Sequence, residues 1–245
     1  MAWARAKLTG MRPAELLDRL RAELTAALAP PVCLACRTSL TDAHAQLCVS
    51  CRRALPWLAE PRCAGCGLPG ACGNRCPAHA AAFERAWAPL AHDGPARALV
   101  SALKFRGALP VAQLMAAQVA VSVPRALLTG AVLVPVPLHP SRRRARGFDQ
   151  AALIATALGA RTGLPVVGCL RRGGQPTRQL GADRAGRRAA AERQILAVRG
   201  PAPAYALLVD DVHTTGATFD ACARALRTAG ARRVAVVAYA RTLPR

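Results

Sequence analysis

Four closely spaced cysteine pairs constrain this chain most, because residues 31–80 offer little else from which to build a core. Two thiolates with two or three residues between them on a tight turn lie at a suitable distance from one Zn²⁺, and two such pairs complete a closed tetrahedral site. Four pairs therefore predict two structural zinc sites on which this segment depends to fold. With sequential pairing, the predicted sites are Cys33, Cys36, Cys48 and Cys51 for one ion, and Cys63, Cys66, Cys72 and Cys76 for the other.

Other uses of these cysteines are less well matched to the pattern. Disulfides need export, and no export signal is visible, which favours a cytoplasmic location. Thioredoxin-like chemistry needs one CxxC opening a helix rather than four pairs, while an iron–sulfur cluster shares the ligand type and stays open. Interleaved pairing also stays open, as does substitution by His44 or His79. Cys169 and Cys222 lie in a predicted strand and helix, where we interpret them as buried apolar residues.

The composition changes near residue 80 and divides the 245-residue chain. Residues 1–30 are predicted to contain an amphipathic helix from Pro13 to Leu28, which most simply packs on its own domain. Residues 31–80 form the predicted double zinc-ribbon module. Residues 81–245 alternate apolar runs with helix-like stretches, and this order predicts an α/β domain with a mostly parallel sheet flanked by helices. No apolar run is long enough to predict a membrane span.

The predicted elements of this domain follow from hydrophobic periodicity and length. Segment 171–193 is polar, rich in Gly and Arg, and predicted to be a mobile loop followed by a short helix. The predicted helices are 95–105, 111–121, 148–161 and 219–229, and the predicted strands are 131–136, 164–169, 204–209 and 233–239.

The net charge of +21, from 34 basic and 13 acidic residues, has two explanations. A basic surface attracts nucleic acid or phosphorylated small molecules. A GC-rich codon supply also raises the Arg and Ala content without any functional cause. The distribution is more informative, since twelve arginines but only three acids lie between Ser141 and Arg193.

The most specific motif is the stretch LLVDDVHTTGAT over residues 207–218. An apolar strand leads into two carboxylates, a turn of small residues and a helix, so that backbone N–H groups and the helix dipole suit a phosphate monoester. The acidic pair is placed for the ribose hydroxyls of the same ligand and for water-mediated binding of Mg²⁺. No Walker A loop or dinucleotide fingerprint is present. A plain capped helix explains one Thr, but not two Asp, three Thr and one Gly within nine residues.

DDVHTTGAT resembles the phosphoribosyl pyrophosphate (PRPP) motif of type I phosphoribosyltransferases, and the chain as a whole resembles the ComF/GntX family of competence-related proteins. The further stretches that carry this resemblance are the CxxC array, LKFRG at 103–107, VPVPLH at 134–139, RGFDQ at 146–150 and the segment 177–188. Together they span roughly residues 30–242.

The resemblance implies a role for each part of the motif. Asp210 and Asp211 would hold the ribose hydroxyls, and the loop after Val136 would face the pyrophosphate. The 5-phosphate is expected to lie on Thr214, Thr215, Gly216, Ala217 and Thr218. Candidate pyrophosphate or nucleic-acid contacts are Lys104, Arg142, Arg143, Arg144 and Arg146, each of which also fits a solvated basic surface.

At two positions the sequence departs from the family pattern, which limits the residue roles that the resemblance implies. Asp149 stands where the family usually has Asn in R-G-F-x-Q, which puts an amide-specific contact there in doubt. Thr214 stands where purine salvage enzymes carry an Asp that acts near the base, which argues against purine salvage.

Three functions are compatible with these features. A transferase would displace pyrophosphate from C1 of PRPP, with Mg²⁺ and arginines stabilising the departing charge and the 171–188 loop closing over the site. The acceptor, and hence a role in nucleotide salvage or DNA uptake, is open. A nucleic-acid-binding protein of natural transformation would hold single-stranded DNA with its basic surface, beside other DNA-processing proteins, and Phe148 and Trp57 are candidate stacking residues. A PRPP-sensing regulator would bind PRPP without turnover.

Overall fold

The computed structural model describes residues 31–42, 45–172 and 195–244. The predicted N-terminal helix, His44 and the segment 173–194 lie outside the described residues. The chain divides into two compact units, residues 1–53 and 54–245. The two cysteine clusters therefore fall in different units, and the second shares its unit with the sheet.

The two cysteine-bearing turns are copies of one motif, offset by thirty residues. In the first unit, Cys33 N donates to Thr38 O and Arg37 N donates to Cys33 O, both at 2.8 Å. In the second unit, Cys63 N donates to Leu68 O and Gly67 N donates to Cys63 O, also at 2.8 Å. The bridges that close the turns, Val32–Ser39 and Arg62–Pro69, keep the same offset. The two cysteine-bearing segments therefore share one turn motif, which the chain uses twice.

The two ribbons differ in the element that carries their second cysteine pair. In the first unit this pair lies before and within helix α1, Val49–Arg53. In the second unit it flanks a single 3-10 turn, Gly73–Arg75.

A parallel sheet forms the centre of the second unit. The strands of this unit are β1 Arg85–Trp87, β2 Leu90–Ala91, β3 Val132–Pro135, β4 Leu170–Arg172, β5 Ile195–Val198, β6 Tyr205–His213 and β7 Arg233–Arg241. The order of the sheet is β1-β7-β6-β3, and β2 pairs with β7 beyond the end of β1. Every pair in this sheet is parallel. A separate antiparallel pair joins β4 and β5.

Six described helices connect and cover these strands. The helices are α2 Gly94–Arg106, α3 Pro110–Ser122, α4 Arg125–Leu128, α5 Pro140–Arg146, α6 Gln150–Thr162 and α7 Ala217–Thr228. Helix α3 packs against α6, and α7 contacts both β6 and β7. The expected α/β class with a mostly parallel sheet flanked by helices is confirmed.

One hydrophobic core cluster lies between the sheet and α7. On α7 the buried residues recur at helical spacing, since Phe219, Cys222, Ala223 and Leu226 are all buried against the sheet. In β6 every residue from Tyr205 to Val209 is buried, as a strand covered on both faces requires. Cys169 and Cys222 are both buried in this core, as the sequence predicts.

One predicted strand is wrong. Residues 164–169 do not form a strand, and this stretch makes one parallel bridge, Val166 with Leu133. Pro165 has no N–H to donate to a ladder, which limits the pairing. The nearest strand is β4, which starts at Leu170 and joins the antiparallel pair.

The other boundaries shift by a few residues, with one consequence for the motif. Strand β6 runs to His213, so Asp210 and Asp211 lie within the strand rather than after it. Among the described residues no helix is long and apolar enough to cross a membrane.

The metal clusters and the candidate ligand site

The four sulfurs of each cysteine cluster lie at the spacing of a tetrahedral metal site. In each cluster all four Sγ atoms lie within 4.8 Å of one another. Cys36 and Cys48 are 3.7 Å apart, Cys63 and Cys76 3.6 Å, and Cys66 and Cys72 3.4 Å, measured between Sγ atoms. A zinc–sulfur bond of about 2.3 Å in a tetrahedron corresponds to about 3.8 Å between sulfurs.

These distances decide between the uses of the cysteines left open by the sequence. They exceed the disulfide bond of about 2.05 Å, and the described cysteines are free thiols. Four sulfurs so close together surround one ion and leave no room for a cluster of several irons. The grouping is sequential, with no interleaving between the two sets.

The acidities of the thiols also favour a bound cation. A hydrogen bond with the Thr38 side chain lowers the pKa of Cys36 to about 6, and the backbone N–H of Cys66 does the same for Cys63. Burial and the neighbouring thiols of Cys36 and Cys48 raise the pKa of Cys51. In the first cluster, the thiol of Cys36 therefore ionises readily, whereas the thiol of Cys51 resists ionisation. A divalent cation bound by all four sulfurs would remove that conflict.

The second cluster is held against the sheet by two contacts. Arg62 donates to the carbonyl of Ala88 and, at 2.7 Å, to that of Leu58, and its guanidinium lies 5.2 Å from the centre of the Trp87 ring. Gly67 has φ +73°, and a Cβ there would lie 2.7 Å from Ala86 O in β1. Glycine is therefore required where the second turn meets the sheet edge.

A polar cavity of about 140 Å³ opens where β3 and β6 part. Their pairing ends at Pro135 with Val209, and Asp210 and Asp211 follow directly beyond it. Crevices at the carboxyl ends of parallel strands are the usual ligand positions of such sheets. We call this the Asp210 cavity; its charged and polar lining residues are Lys104, Arg142, Arg146, Asp149, Gln150, Arg172, Asp210, Asp211 and Thr218.

The two adjacent acids of the cavity have different surroundings. Lys104 Nζ lies 2.8 Å from Asp211 Oδ1, and the Asp211 side chain is 6% exposed. Burial, and then the charge of Asp211, raise the pKa of Asp210 to about 8. A divalent cation or a hydroxyl donor beside Asp210 would stabilise its ionised form.

Asp149 organises the loop between β3 and α6. Its Oδ1 accepts from Ala152 N and its Oδ2 from Leu138 N, both at 3.2 Å. The residue therefore caps α6 and holds the chain after Val136 against the cavity. Both carboxylate oxygens of Asp149 accept a hydrogen bond, so the fold uses a carboxylate rather than an amide at this position.

Gln150 lines the cavity, although it is not among the site residues predicted from the sequence. It is 3% exposed, and its Nε2 has no hydrogen-bond partner among the described residues. A buried amide donor without a partner is costly unless a ligand or water accepts from it. Its position in the RGFDQ stretch is the sequence feature that pointed to it.

The turn after β6 is divided between two cavities. Gly216 is the N-cap of α7 with φ +85°, and the Thr215 hydroxyl accepts from Ala217 N at 3.4 Å. Thr218 lines the Asp210 cavity, while Thr215, Gly216 and Ala217 line a second cavity of about 270 Å³ together with His213.

The remaining candidate residues are dispersed. Thr214 is exposed. Among the arginines of α5, Arg142 and Arg146 line the Asp210 cavity. Arg143 lines a neighbouring recess that shares Asp149 and Arg172 with it, and Arg144 is exposed.

The suggested stacking residues also differ in exposure. Trp57 is 49% exposed, while Phe148 is half-buried. Phe105, which is not among the stacking residues predicted from the sequence, is 75% exposed, and the centre of its ring lies 5.2 Å from the guanidinium of Arg146.

A comparison with known families bears on the cysteine clusters. No curated protein matches the chain. Residues 24–80 match the family model described as a double zinc ribbon domain. With two four-cysteine clusters of zinc geometry inside that range, this part of the chain is a double zinc ribbon with two structural zinc sites.

Proposed function

We propose that the chain is a phosphoribosyltransferase-like protein of the ComF type that binds PRPP with Mg²⁺ in the Asp210 cavity. The observation that carries the proposal is the convergence of Asp210, Asp211, Thr218, Lys104 and two arginines of α5 on one crevice at the strand ends. The resemblance of the sequence motif to a PRPP loop is independent of that geometry. A role in DNA uptake during natural transformation or in nucleotide salvage is part of the proposal.

The chemistry of the lining supports a phosphorylated sugar with a metal ion. Lys104, Arg142, Arg146 and Arg172 supply positive charge for a pyrophosphate. Asp210 and Asp211 supply carboxylates for ribose hydroxyls and for water-mediated contact with Mg²⁺. The buried Nε2 of Gln150 is a donor with no partner among the described residues. Hard oxygen ligands and phosphate-binding cations in one crevice are what a magnesium–diphosphate ligand needs.

The reaction of such a site is substitution at C1 of the ribose. A bond forms from the acceptor to C1, the bond from C1 to the pyrophosphate oxygen breaks, and pyrophosphate departs with the electron pair. Lys104 and the arginines would stabilise the departing charge, and Asp210 and Asp211 would orient the ribose. Mg²⁺, when bound, would neutralise part of the pyrophosphate charge.

Calorimetric titration of Mg²⁺–PRPP into the zinc-loaded protein tests the proposal. We expect binding by the wild type and its loss in Asp210→Asn/Asp211→Asn. The matched control is Asp93→Asn, because Asp93 is an exposed helix cap outside the cavity and Asn caps equally well. Equal heats for the wild type and the double variant would refute the assignment of the site. Pyrophosphate release that depends on an added acceptor would then separate a transferase from a PRPP sensor.

One specific observation favours a second candidate, single-stranded nucleic acid. Phe105 is exposed beneath Arg146, and the same guanidinium reaches the Asp210 cavity. An exposed ring under a cation, beside the arginine-rich helix α5, is suited to stack a base next to a phosphate. Fluorescence anisotropy with oligothymidine should then show affinity that falls steeply with salt and falls with Phe105→Ala. Val121→Ala, at an 83% exposed apolar position on α3, is the control.

A further inference from the structure

Arg241, at the end of β7, is a buried cation with unsatisfied donors. The residue is 4% exposed, and its Nε and Nη1 have no hydrogen-bond partner among the described residues. It lines the second cavity of about 270 Å³, beside the turn after β6. We call this the Arg241 cavity. A buried guanidinium without a countercharge is costly, so a negatively charged partner with acceptor oxygens is expected there.

His213, which pairs in register with Arg241 on the neighbouring strand, lines the same cavity. The residue is 2% exposed, and its Nδ1 lacks a hydrogen-bond partner within the part of the chain that the structure describes. Burial, and then the charge of Arg241, lower the pKa of His213 to about 3, so the ring is neutral and offers no countercharge. Its Nδ1 can donate to a ligand held by Arg241 when it carries the single proton of the neutral ring.

The other charged side chains that line the cavity are already engaged. Asp220 accepts from Ala82 N at 2.7 Å and from Arg224 Nε at 2.9 Å, so its charge is paired. Cys66, a ligand of the second metal cluster, also lines the cavity, but neither Nε nor Nη1 of Arg241 donates to any sulfur that the structure describes. Water could accept from these donors but would bring no charge. The missing partner is therefore an anionic ligand.

The rest of the cavity lining limits the chemistry of that anion. Its apolar residues suit a ligand with a small apolar body, and they are Pro77, Ala78, Ala80, Ala81 and Phe83. Four thiolates on one Zn²⁺ leave a net charge of two minus beside Cys66. This charge repels a doubly charged phosphate more strongly than a singly charged carboxylate. A carboxylate on a compact apolar body is the ligand class that fits.

We propose that the Arg241 cavity is a binding site for a small carboxylate, with the carboxylate on the Arg241 guanidinium and the apolar body near Phe83. Hydrogen bonds from a guanidinium to a carboxylate are charge-assisted and therefore stronger than those between neutral groups. The ligand supplies the countercharge that the described chain does not, and it excludes water from the buried donors.

The place of this cavity in the sheet suggests a role for the carboxylate, and this consequence rests on the proposed function. Strand β6 lies between β3 and β7. The Asp210 cavity is lined by the loop after β3 and by β6, whereas the Arg241 cavity is lined by the ends of β6 and β7. With pyrophosphate on the arginines of α5, an acceptor attacking C1 opposite the departing group would approach from the β7 side. The acceptor would then be a molecule that carries a carboxylate.

Titration of benzoate into the full-length zinc-loaded protein, without PRPP and followed by ligand-observed NMR, tests the carboxylate site. Benzamide is the neutral control of the same shape. We expect benzoate to bind about 10-fold more tightly than benzamide, and this preference to be lost in Arg241→Met. Arg224→Met should keep it, because Arg224 lines the same cavity but is exposed and paired with Asp220. No preference in the wild type, an equal preference in Arg241→Met, or tighter binding of phenylphosphonate than of benzoate would overturn the proposal.

A variant that leaves Arg241 in place keeps the test sharp if Arg241→Met fails to fold. Ala80 is an exposed residue of the cavity lining, so Ala80→Trp should narrow the cavity with little effect on the fold and should weaken benzoate binding. Ala126→Trp, at an exposed alanine of α4 outside the cavity, is the control. Benzoate binding unchanged by Ala80→Trp would place the ligand elsewhere and would count against the proposal.

Simultaneous binding separates this site from the proposed PRPP site. We expect benzoate to bind in the presence of saturating Mg²⁺–PRPP, and Arg241→Met to bind Mg²⁺–PRPP as the wild type does. Competition between benzoate and PRPP would show that the Arg241 cavity is one end of the PRPP site, and would overturn the proposal of a second ligand. If the wild type binds no PRPP, the benzoate titration still decides on the carboxylate site, and only its role as acceptor site is refuted.

Discussion

Lys104 of α2 and Asp211 of β6 form an ion pair of 2.8 Å in which the carboxylate is almost fully buried and the ammonium is 24% exposed. The pair joins the first helix after the zinc ribbon to the central strand, at the wall of the Asp210 cavity. It also gives two neighbouring acids different electrostatic surroundings. Lys104 is paired with Asp211, whereas burial and the Asp211 charge raise the pKa of Asp210 to about 8. Asp211 therefore has a local cation, and both carboxylates remain on the lining of the Asp210 cavity.

Removing the cation of this pair should destabilise the fold. Lys104→Met leaves the buried Asp211 carboxylate uncompensated, and we expect a loss of about 3 kcal/mol in the free energy of unfolding, measured by urea titration. In an Asp211→Asn background the loss should be much smaller. Arg97→Met, at an exposed position on the same helix, controls for the loss of a basic side chain. A loss of equal size in both backgrounds would contradict the ion pair.

The raised pKa of Asp210 should make stability depend on pH. The folded protein keeps the Asp210 proton up to about pH 8, whereas the unfolded chain releases it near pH 4. The folded state binds more protons across this window, so the contribution of Asp210 to stability falls as the pH rises.

Asn does not titrate, so the free energy of unfolding of Asp210→Asn should rise relative to that of the wild type by at least about 1 kcal/mol between pH 5 and pH 8. Urea midpoints at four pH values measure the difference. Asp93→Asn, at an exposed cap, should run parallel to the wild type. Parallel curves for Asp210→Asn as well would show that burial does not perturb this acid.

Local patterns made most of the fold predictable. Helices α2, α3 and α6 lie within two residues of their predicted ranges, because apolar spacing and flanking Gly and Pro residues mark them. The short strands β1 and β2 were not predicted, since three and two residues are too few to show a period. The failure at 164–169 has a different origin, because an apolar run does not reveal which partner strand it meets and Pro165 has no N–H for a ladder.

The zinc ligands were predictable in a way that the cavity was not. The cysteine spacing alone predicts two closed sites of four ligands, because two pairs complete one tetrahedron, and the structure then shows that the sets are sequential. The ion pair of Lys104 with Asp211 joins residues more than a hundred positions apart. Only the packing of α2 against the sheet determines this contact, and no local pattern encodes it.

The departure at Asp149 should matter for stability. Asn has one acceptor oxygen, so Asp149→Asn keeps either the bond from Ala152 N or the bond from Leu138 N and loses the other. We expect a loss of about 1 kcal/mol for Asn and about twice that for Asp149→Ala, measured by urea unfolding. An Asn variant as stable as the wild type would show that one of the two bonds contributes nothing.

Gly216 should tolerate no side chain. Its φ of +85° strains any other residue, and an added Cβ would lie 2.8 Å from His213 Nε2. Gly163 has a similar φ of +72° at the end of α6 but has no atom within 4 Å of its added Cβ, so Gly163→Ala measures the backbone strain alone.

We expect the free energy of unfolding to fall by about 1 kcal/mol in Gly163→Ala and by about 1–3 kcal/mol more in Gly216→Ala. Thermal unfolding and urea titration of the zinc-loaded variants give both values. Because the extra cost comes from the His213 ring, it should largely disappear in a His213→Ala background, once the cost of that change alone is subtracted. Equal losses for the two glycine variants would mean that the ring moves aside freely and that the turn is not fixed by His213. A turn fixed in this way holds the backbone N–H groups at the start of α7 in place before any ligand arrives, which is the arrangement that phosphate binding at a helix N-terminus requires.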